Sequence, residues 1–321
     1  YQVKVTAEDA CHEKVTRSFK LTVRSATCDT EHIAAFVADT GNHRIQRFSG
    51  GAWNIIGAGT QGNGPGQFNR PESVVASPDG RKIYVADTGN SRIQWSQDSG
   101  GTWSDFALQL VPQGLVLDRD GNLYVSDARD NRILRYAGGV PGTPIILATS
   151  GSGAGQVRNP NGLAIDCRMN LYIADTGNNR ILVIATADSA VLPNTGTVVA
   201  ASGAGTNPAQ VSAPQGVAVD NSGKLYVADT GNNRVLMIAS APATGAATVL
   251  CALGSALGQV RGPEGVTIAV FQFGPLAGGP SIIVSDTMNN RIQGSRLPAA
   301  AGSWMLLPPL TGQFNLPSKI R

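Results

Sequence analysis

Six pairs of a carboxylate and a guanidinium group recur along the chain at one fixed spacing. In each copy an aspartate precedes an arginine by five positions, and the motif reads Asp-Thr-Gly-Asn-x-Arg in most copies. The pairs are Asp39 with Arg44, Asp87 with Arg92, Asp127 with Arg132, Asp175 with Arg180, Asp229 with Arg234, and Asp286 with Arg291. Together they could form a charged ring. Because every copy contains the pair, we favour a structural role. The aspartate accepts backbone hydrogen bonds from its Thr-Gly-Asn turn, and the arginine packs its stem and bonds carboxylates or carbonyls between units.

A second set of polar residues follows the proline that opens the first strand of each unit. These residues are Ser318, Glu72, Gln113, Asn161, Gln215 and Glu264. If they surround the mouth of one channel, the carboxylates of Glu72 and Glu264 could bind a hard cation such as Ca²⁺ through oxygen ligands. A water-filled polar channel is the alternative. The sequence suggests no other cofactor.

Histidine is scarce, which argues against an enzyme. His12, His32 and His43 all fall within the first 43 residues, and His43 occupies a turn position that holds Ser or Asn in other copies. No Ser/His/Asp or Cys/His set suggests itself, so neither nucleophilic catalysis nor a histidine-based zinc site is predicted.

Two patterns could indicate binding of phosphate or nucleic acid. The glycine-rich segments 57–68, 151–156 and 203–206 precede strands rather than helices, so they lack the helix dipole of phosphate-binding loops and are better explained as links between units. Arg70, Arg158 and Arg261 lie close before the prolines and could cluster on one face. The net charge is only +3 and aromatic residues make up 6% of the chain, so RNA binding is the weaker alternative.

The repeat predicts the architecture. Successive signature aspartates lie 40 to 57 residues apart, and each unit reads as four short strands joined by turns rich in Gly, Asn and Asp. Glycine accounts for 39 of 321 residues, which also favours turns over helices. We therefore predict an all-β, six-bladed β-propeller over residues 29–321. The segment 311–320 parallels 65–74, so we expect the C-terminal segment to supply the innermost strand of blade one and close the ring.

The Tyr-Val-Ala-Asp-Thr-Gly-Asn-Asn-Arg signature resembles the NHL repeat over roughly residues 30–321. The resemblance implies the propeller fold but no single function, because the family includes lyases, RNA-binding modules, sensor domains and protein-contact scaffolds. Lactonase-like propellers hold a channel metal with Glu, Asn and Asp, and only the ring position matches here. The histidine sets of the amidating and streptogramin-type lyases cannot be assembled from this sequence.

The N-terminal segment differs from the repeats. Residues 1–7 and 14–23 alternate like a hairpin that resembles the end of immunoglobulin-like or cadherin-like surface modules, and Cys11 and Cys28 could form a disulfide. No apolar run approaches 18 residues, so no membrane span is predicted.

Blade six departs most from the repeat, because residues 269–280 lengthen the turn between its first two strands. Phe271 and Phe273 in this segment could contact a partner or fold back on the rim. We therefore predict a non-enzymatic protein-binding or assembly module of an extracellular or cell-surface protein, whose partner is another protein or a further copy. A channel-site enzyme or metal-binding propeller is the first alternative.

Overall fold

Strands bounded by turns make up almost all of the chain's regular structure. The computed structural model describes residues 2–8, 14–20, 35–49, 52–185, 196–200, 210–239, 247–270, 279–299, 303–306 and 319–320. Within these ranges, helix is limited to six single turns of 3₁₀ helix: Thr40–Asn42, Thr88–Asn90, Ala137–Gly139, Thr176–Asn178, Thr230–Asn232 and Thr287–Asn289. None of the described helices is long and apolar enough to cross a membrane.

The strands form six antiparallel sheets, one for each copy of the signature, and the predicted six-bladed propeller of four-stranded blades is confirmed. Blade one contains Lys319–Ile320, Ala35–Asp39, Arg44–Ser49 and Ala52–Ile56. Blade two contains Ser73–Ala76, Ile83–Asp87, Arg92–Ser96 and Ser104–Leu108. Blade three contains Pro112–Leu117, Leu123–Asp127, Arg132–Tyr136 and Ile145–Ser150.

The other three blades follow the same order from the first to the fourth strand. Blade four contains Pro160–Ile165, Asn170–Asp175, Arg180–Ala185 and Gly196–Ala200. Blade five contains Gly216–Val219, Leu225–Asp229, Arg234–Ile238 and Ala247–Leu253. Blade six contains Pro263–Val270, Pro280–Asp286, Arg291–Arg296 and Met305–Leu306. Blades three and five each gain a fifth, two-residue strand, Gln156–Val157 and Gln259–Val260, which pairs in parallel with the fourth strand.

The first strands surround the channel. Each lies against the first strand of the next blade, and the two-residue strand Lys319–Ile320 lies against the first strands of blades six and two. In blade one, Lys319 pairs with Ala38 and Ile320 with Val37. Residues 311–318 lie outside the described part of the chain, so closure of the ring by the whole C-terminal segment stays a prediction.

Two sequence-based expectations concern segments beside the repeats. Gln2–Glu8 and Lys14–Lys20 pair antiparallel as a separate two-stranded sheet, while the likeness to an immunoglobulin-like module and the domain boundary at residue 29 stay predictions. In blade six, Ala269 and Val270 pair with Ser281 and Pro280. Part of the segment that we expected to be a loop therefore lengthens the first hairpin of this blade.

The core lies between neighbouring blades. The second strands Ile83–Asp87, Leu123–Asp127 and Leu225–Asp229 are buried at every position, because each is covered by blades on both of its faces. Five apolar clusters fill the spaces between sheets in the described residues, and each cluster draws on adjacent blades.

Blades two and three share a buried aromatic group. The ring of Phe106 makes edge-to-face contacts with Tyr84, Trp95 and Tyr136 at centroid distances of 5.4, 5.5 and 5.0 Å. The hydroxyl of Tyr84 donates a hydrogen bond of 2.6 Å to the carbonyl oxygen of Gly139 in blade three. This group therefore joins two blades by packing and by one buried hydrogen bond.

Burial of Tyr84 makes the stability of the propeller sensitive to high pH. Burial raises the pKa of this phenol from 10.0 to about 12, so the folded state holds its proton more tightly than the unfolded chain does. The resulting stabilisation is complete below pH 10 and is lost as the pH rises from 10 to about 12. Tyr84→Phe should reduce the loss of unfolding free energy over this interval, as measured by denaturant titration at several pH values. Equal slopes for the two proteins would contradict this assignment.

Candidate functional site

Each signature aspartate forms a buried ion pair with the arginine of its own blade. The carboxylates are fully buried, and each arginine Nε lies 2.6 to 2.9 Å from a carboxylate oxygen. In blade four, for example, Arg180 Nε lies 2.6 Å from Asp175 Oδ2. Asn178 Nδ2 donates to the same oxygen at 2.8 Å. The aspartates are therefore enclosed by donors and do not open into the channel as free acids.

The second oxygen of the aspartate has a different partner from the one we expected. It accepts a backbone N–H from the link that leads into its own blade, such as Arg158 N to Asp175 Oδ1 at 2.7 Å. The same bond recurs from Asn69 to Asp87, Val111 to Asp127, Ser212 to Asp229 and Arg261 to Asp286. The turn itself donates to the carboxylate mainly through the side chain of its asparagine, such as Asn178, although in blade three the expected backbone bond is present, from Arg129 N to Asp127 Oδ1 at 3.2 Å.

The arginines bind the same links through their carbonyls. Arg180 donates to the carbonyl oxygens of Ser152, Gly153 and Gln156 at distances of 2.8 to 3.0 Å. Arg291 repeats this pattern on the link into blade six. The glycine-rich links are thus held by guanidinium groups that bind their carbonyls.

Other residues of the signature reach forward to the next blade. Thr176 Oγ1 donates to the carbonyl oxygen of Pro214 at 2.7 Å, and Asn179 Oδ1 accepts the N–H of Ala213 at 2.7 Å. Asn179 has a φ of 52°, so the left-handed position is the one before the arginine and not the glycine of the turn. The link passes close to Gly177, where a Cβ would lie 2.8 Å from the carbonyl oxygen of Arg158. The signature therefore joins each blade to the incoming link and to the next blade.

The predicted polar ring is brought together at one mouth of the channel. The mouth is a cavity of about 650 Å³. Its lining residues are Thr40, Gly41, His43, Arg70, Glu72, Gln113, Asn159, Asn161, Gln215, Glu264 and Thr287. Ser318 lies outside the described residues. The first strands approach closely here, since a Cβ on Gly162 would lie 2.5 Å from the carbonyl oxygen of Gln215 and one on Gly216 would lie 2.6 Å from that of Glu264. A glycine follows the polar residue in blades three to six, whereas Ser73 follows Glu72 and Lys319 follows Ser318. At Gly114, Gly162 and Gly216 the absence of a Cβ permits the close approach.

His43 and Arg70 also line this cavity, which sequence reasoning missed. His43 Nδ1 accepts the backbone N–H of Arg70 at 3.0 Å, as Asn179 does for Ala213, so the neutral ring carries its proton on Nε2. The nitrogen that remains is therefore a donor and cannot act as a base. The register of the turn could have placed His43 at this junction, but its approach to the channel depends on how blades one and two pack. His12 and His32 lie outside the described residues.

The channel mouth offers two carboxylates and several amide oxygens for a cation. Within the described ranges, no group of three or more His, Cys, Asp or Glu side chains is placed to hold a metal. Glu72 and Glu264 line the cavity together with Gln113, Asn161 and Gln215, a donor set of oxygens that suits Ca²⁺ better than a transition metal.

The calcium hypothesis predicts that Ca²⁺ at millimolar concentration raises the melting temperature of the metal-free protein. The double variant Glu72→Gln/Glu264→Gln should lose this shift, because neutral amides bind Ca²⁺ more weakly than carboxylates do. Differential scanning calorimetry with Mg²⁺ as the control measures both effects. The absence of a shift in the original protein would remove the hypothesis.

The remaining candidate residues divide between described and undescribed parts of the chain. Phe271, Phe273, Cys11 and Cys28 lie outside the described residues, so their roles stay predictions. Cys167 is disulfide-bonded. Cys251 is a buried free thiol, and burial raises its pKa to about 12, which keeps it protonated and unreactive at neutral pH.

Comparison with known proteins identifies the type of repeat and agrees with the fold. The NHL repeat profile matches residues 68–95, 157–184 and 212–236. The human protein NHL repeat-containing protein 3 is 33% identical over 102 residues, which cover 30% of this chain and 29% of that protein. The chain therefore spans less than a third of the curated relative that it matches.

Solved structures with the same architecture have diverse activities. A propeller from a nidogen/laminin complex aligns with a TM-score of 0.63 at 18% identity, covering 89% of this chain and 97% of that chain. A streptogramin B lyase aligns with a TM-score of 0.57 at 15% identity, covering 87% and 80% of the two chains. These identities establish the fold and no more. The chain carries NHL repeats on a six-bladed β-propeller.

Proposed function

We propose that the chain is a non-enzymatic protein-binding or assembly module of an extracellular or cell-surface protein. The observation that carries this proposal is the exposure of large apolar side chains on the fourth strand of every blade. These side chains are Ile55, Leu108, Ile145, Ile146, Val198, Val249, Leu253 and Leu306. Leu108 and Leu253 are the most exposed of them, at 60% and 61%. We call this set the apolar rim.

The apolar rim suits a protein partner for two reasons. Exposed apolar area gains stability when a second protein covers it, and it recurs here around the whole ring. Among the described strands, the outer edge of the fourth strand also presents backbone N–H and C=O groups that no neighbouring strand of the blade pairs. In blade three, for example, only Thr149 and Ser150 pair with the added strand Gln156–Val157. Such a strand can accept a partner through backbone hydrogen bonds as well as side chains.

Two observations on similar proteins and one on a disulfide support the proposal. One structure with this fold comes from a complex between two proteins, nidogen and laminin, and the curated relative carries no enzyme name. The disulfide at Cys167 favours an oxidising compartment, which agrees with an extracellular or cell-surface location.

A channel-site enzyme is the second candidate, because His43, Arg70 and Glu72 share one cavity. A lyase with this fold shows that the architecture is compatible with catalysis. In this chain His43 presents only an N–H donor to the cavity, and the signature aspartates are enclosed. The exposed apolar side chains of the rim therefore favour binding there over catalysis in the channel.

Affinity capture with matched variants tests the proposal. The rim variant Ile145→Ser/Leu253→Ser and the mouth variant Glu72→Gln/Glu264→Gln should both fold, since each changes side chains that are not buried. We expect the original protein and the mouth variant to capture the same partner from extracellular fractions and the rim variant to capture at least tenfold less. Loss of capture in the mouth variant alone would contradict the proposal and favour the channel.

A further inference from the structure

A polar pocket opens between blades three and four on the same face as the channel mouth. It has a volume of about 400 Å³ and is lined by Asn131, Ser150, Gly151, Ser152, Arg158 and Asn178. No acidic side chain is among these lining residues. The pocket is therefore a cluster of neutral polar groups around one cation.

Several donors in this pocket are unused. Arg158 is exposed, and within the described part of the chain its guanidinium makes no hydrogen bond or ion pair, although its backbone N–H donates to Asp175. The hydroxyls of Ser150 and Ser152 likewise have no partner among described residues. Asn131 uses its Oδ1 to accept the N–H of Asn159 at 2.6 Å, which leaves its amide N–H groups to donate.

The pocket combines Arg158, which stands where blades two and five have Asn69 and Ser212, with the usual glycine of the signature. Gly177 leaves room for the stem of Arg158, whose Cγ would lie 2.9 Å from a Cβ at that position. The corresponding junction into blade six has the same arginine, Arg261, whose N–H donates to Asp286. There Met288 replaces the glycine and is 61% exposed, and Leu253 replaces Ser150. Arg261 therefore keeps one serine, Ser255 at the position of Ser152, but has a leucine and a methionine where Arg158 has Ser150 and Gly177.

We propose that the pocket around Arg158 binds an aspartate or glutamate side chain of the protein partner, a proposal that rests on the protein-binding function above. A guanidinium fork flanked by hydroxyl and amide donors matches the two oxygens of a carboxylate. The strand Ile145–Ser150 connects the two surfaces, since Ile145 and Ile146 belong to the apolar rim and Ser150 lines the pocket about 17 Å further along. An acidic peptide segment can contact both, which a free small carboxylate cannot.

Fluorescence anisotropy with defined peptides tests this site. The probes are a labelled peptide with four glutamates that follow two leucines, blocked at both ends, and its counterpart with four glutamines. We expect the glutamate peptide to bind at least tenfold more tightly. Arg158→Ala should weaken its binding about tenfold, Arg158→Lys should weaken it less, and Arg261→Ala should change it less than twofold. Circular dichroism would verify that the variants remain folded.

Four outcomes would overturn the proposal. Equal binding of the two peptides would show that the carboxylates are not recognised. Equal losses in Arg158→Ala and Arg261→Ala would show that the pocket is not the binding site. Competition by glutarate or inorganic phosphate at the concentration of the peptide would indicate a site for free anions. Tighter binding of single-stranded RNA with a steep salt dependence, lost in Arg158→Ala, would indicate a nucleic-acid surface. The rim variant tests the protein-binding function separately, because Ile145 and Leu253 are not lining residues of this pocket.

Discussion

Replacing Asp175 with alanine is expected to lower the free energy of unfolding by about 3–5 kcal/mol. The change leaves the buried guanidinium of Arg180 without its carboxylate and removes the acceptor of the Arg158 backbone N–H. Asn178 loses the same oxygen, so three donors that hold the link into blade four lose their acceptor together. Equilibrium unfolding in guanidinium chloride measures the effect.

Asp120→Ala provides the matched control. Asp120 is exposed in the hairpin turn of blade three, so its removal should change the unfolding free energy by less than about 0.5 kcal/mol. A loss of similar size in both variants would mean that the buried ion pair of Asp175 and Arg180 adds no specific stability. A loss below about 1 kcal/mol for Asp175→Ala would contradict the structural role of the signature.

Phe106→Ala is expected to destabilise the propeller by a similar amount, about 3–5 kcal/mol. Phe106 is buried and contacts three aromatic rings from two blades, so its removal leaves a cavity that the rigid sheets on either side cannot fill. Leu108→Ala is the control on the same strand, because Leu108 is largely exposed and should cost less than about 0.5 kcal/mol. Equal effects at the two positions would show that this junction is not tightly packed.

The fold could be predicted because the repeat is local and periodic. The spacing from Asp229 to Arg234 and the strands on either side can be read directly along the chain, and the structure places Leu225–Asp229 and Arg234–Ile238 as expected. One hairpin pattern repeated six times leaves few alternatives to a closed ring of blades.

The bonds between blades could not be predicted in the same way. The second oxygen of Asp175 binds a backbone N–H 17 positions earlier, and Thr176 binds a carbonyl 38 positions later. Such contacts depend on the rotation of one sheet relative to the next, which no local pattern specifies. The same reason explains why the approach of His43 to the channel and the pocket around Arg158 emerged only from the packed blades.

The outer surface followed a different rule. The sequence indicated a partner contact at Phe271 and Phe273, because a long turn stands out against short ones. The apolar rim was hidden, since alternation in a strand such as Ile145–Ser150 does not say which face a neighbouring blade covers. Its exposure follows from the position of the fourth strand at the edge of each blade.

Site-specific photo-cross-linking tests most directly whether binding occurs at the rim or at the channel. A photoreactive amino acid placed singly at Ile145, Leu253 and Leu306 reports on the apolar rim, one at Gln215 reports on the channel mouth, and one at Asp79 in an exposed turn serves as the control. We expect the rim positions to cross-link to a protein partner and the other two positions to remain uncross-linked. Cross-links confined to Gln215 would contradict the account and place the function in the channel.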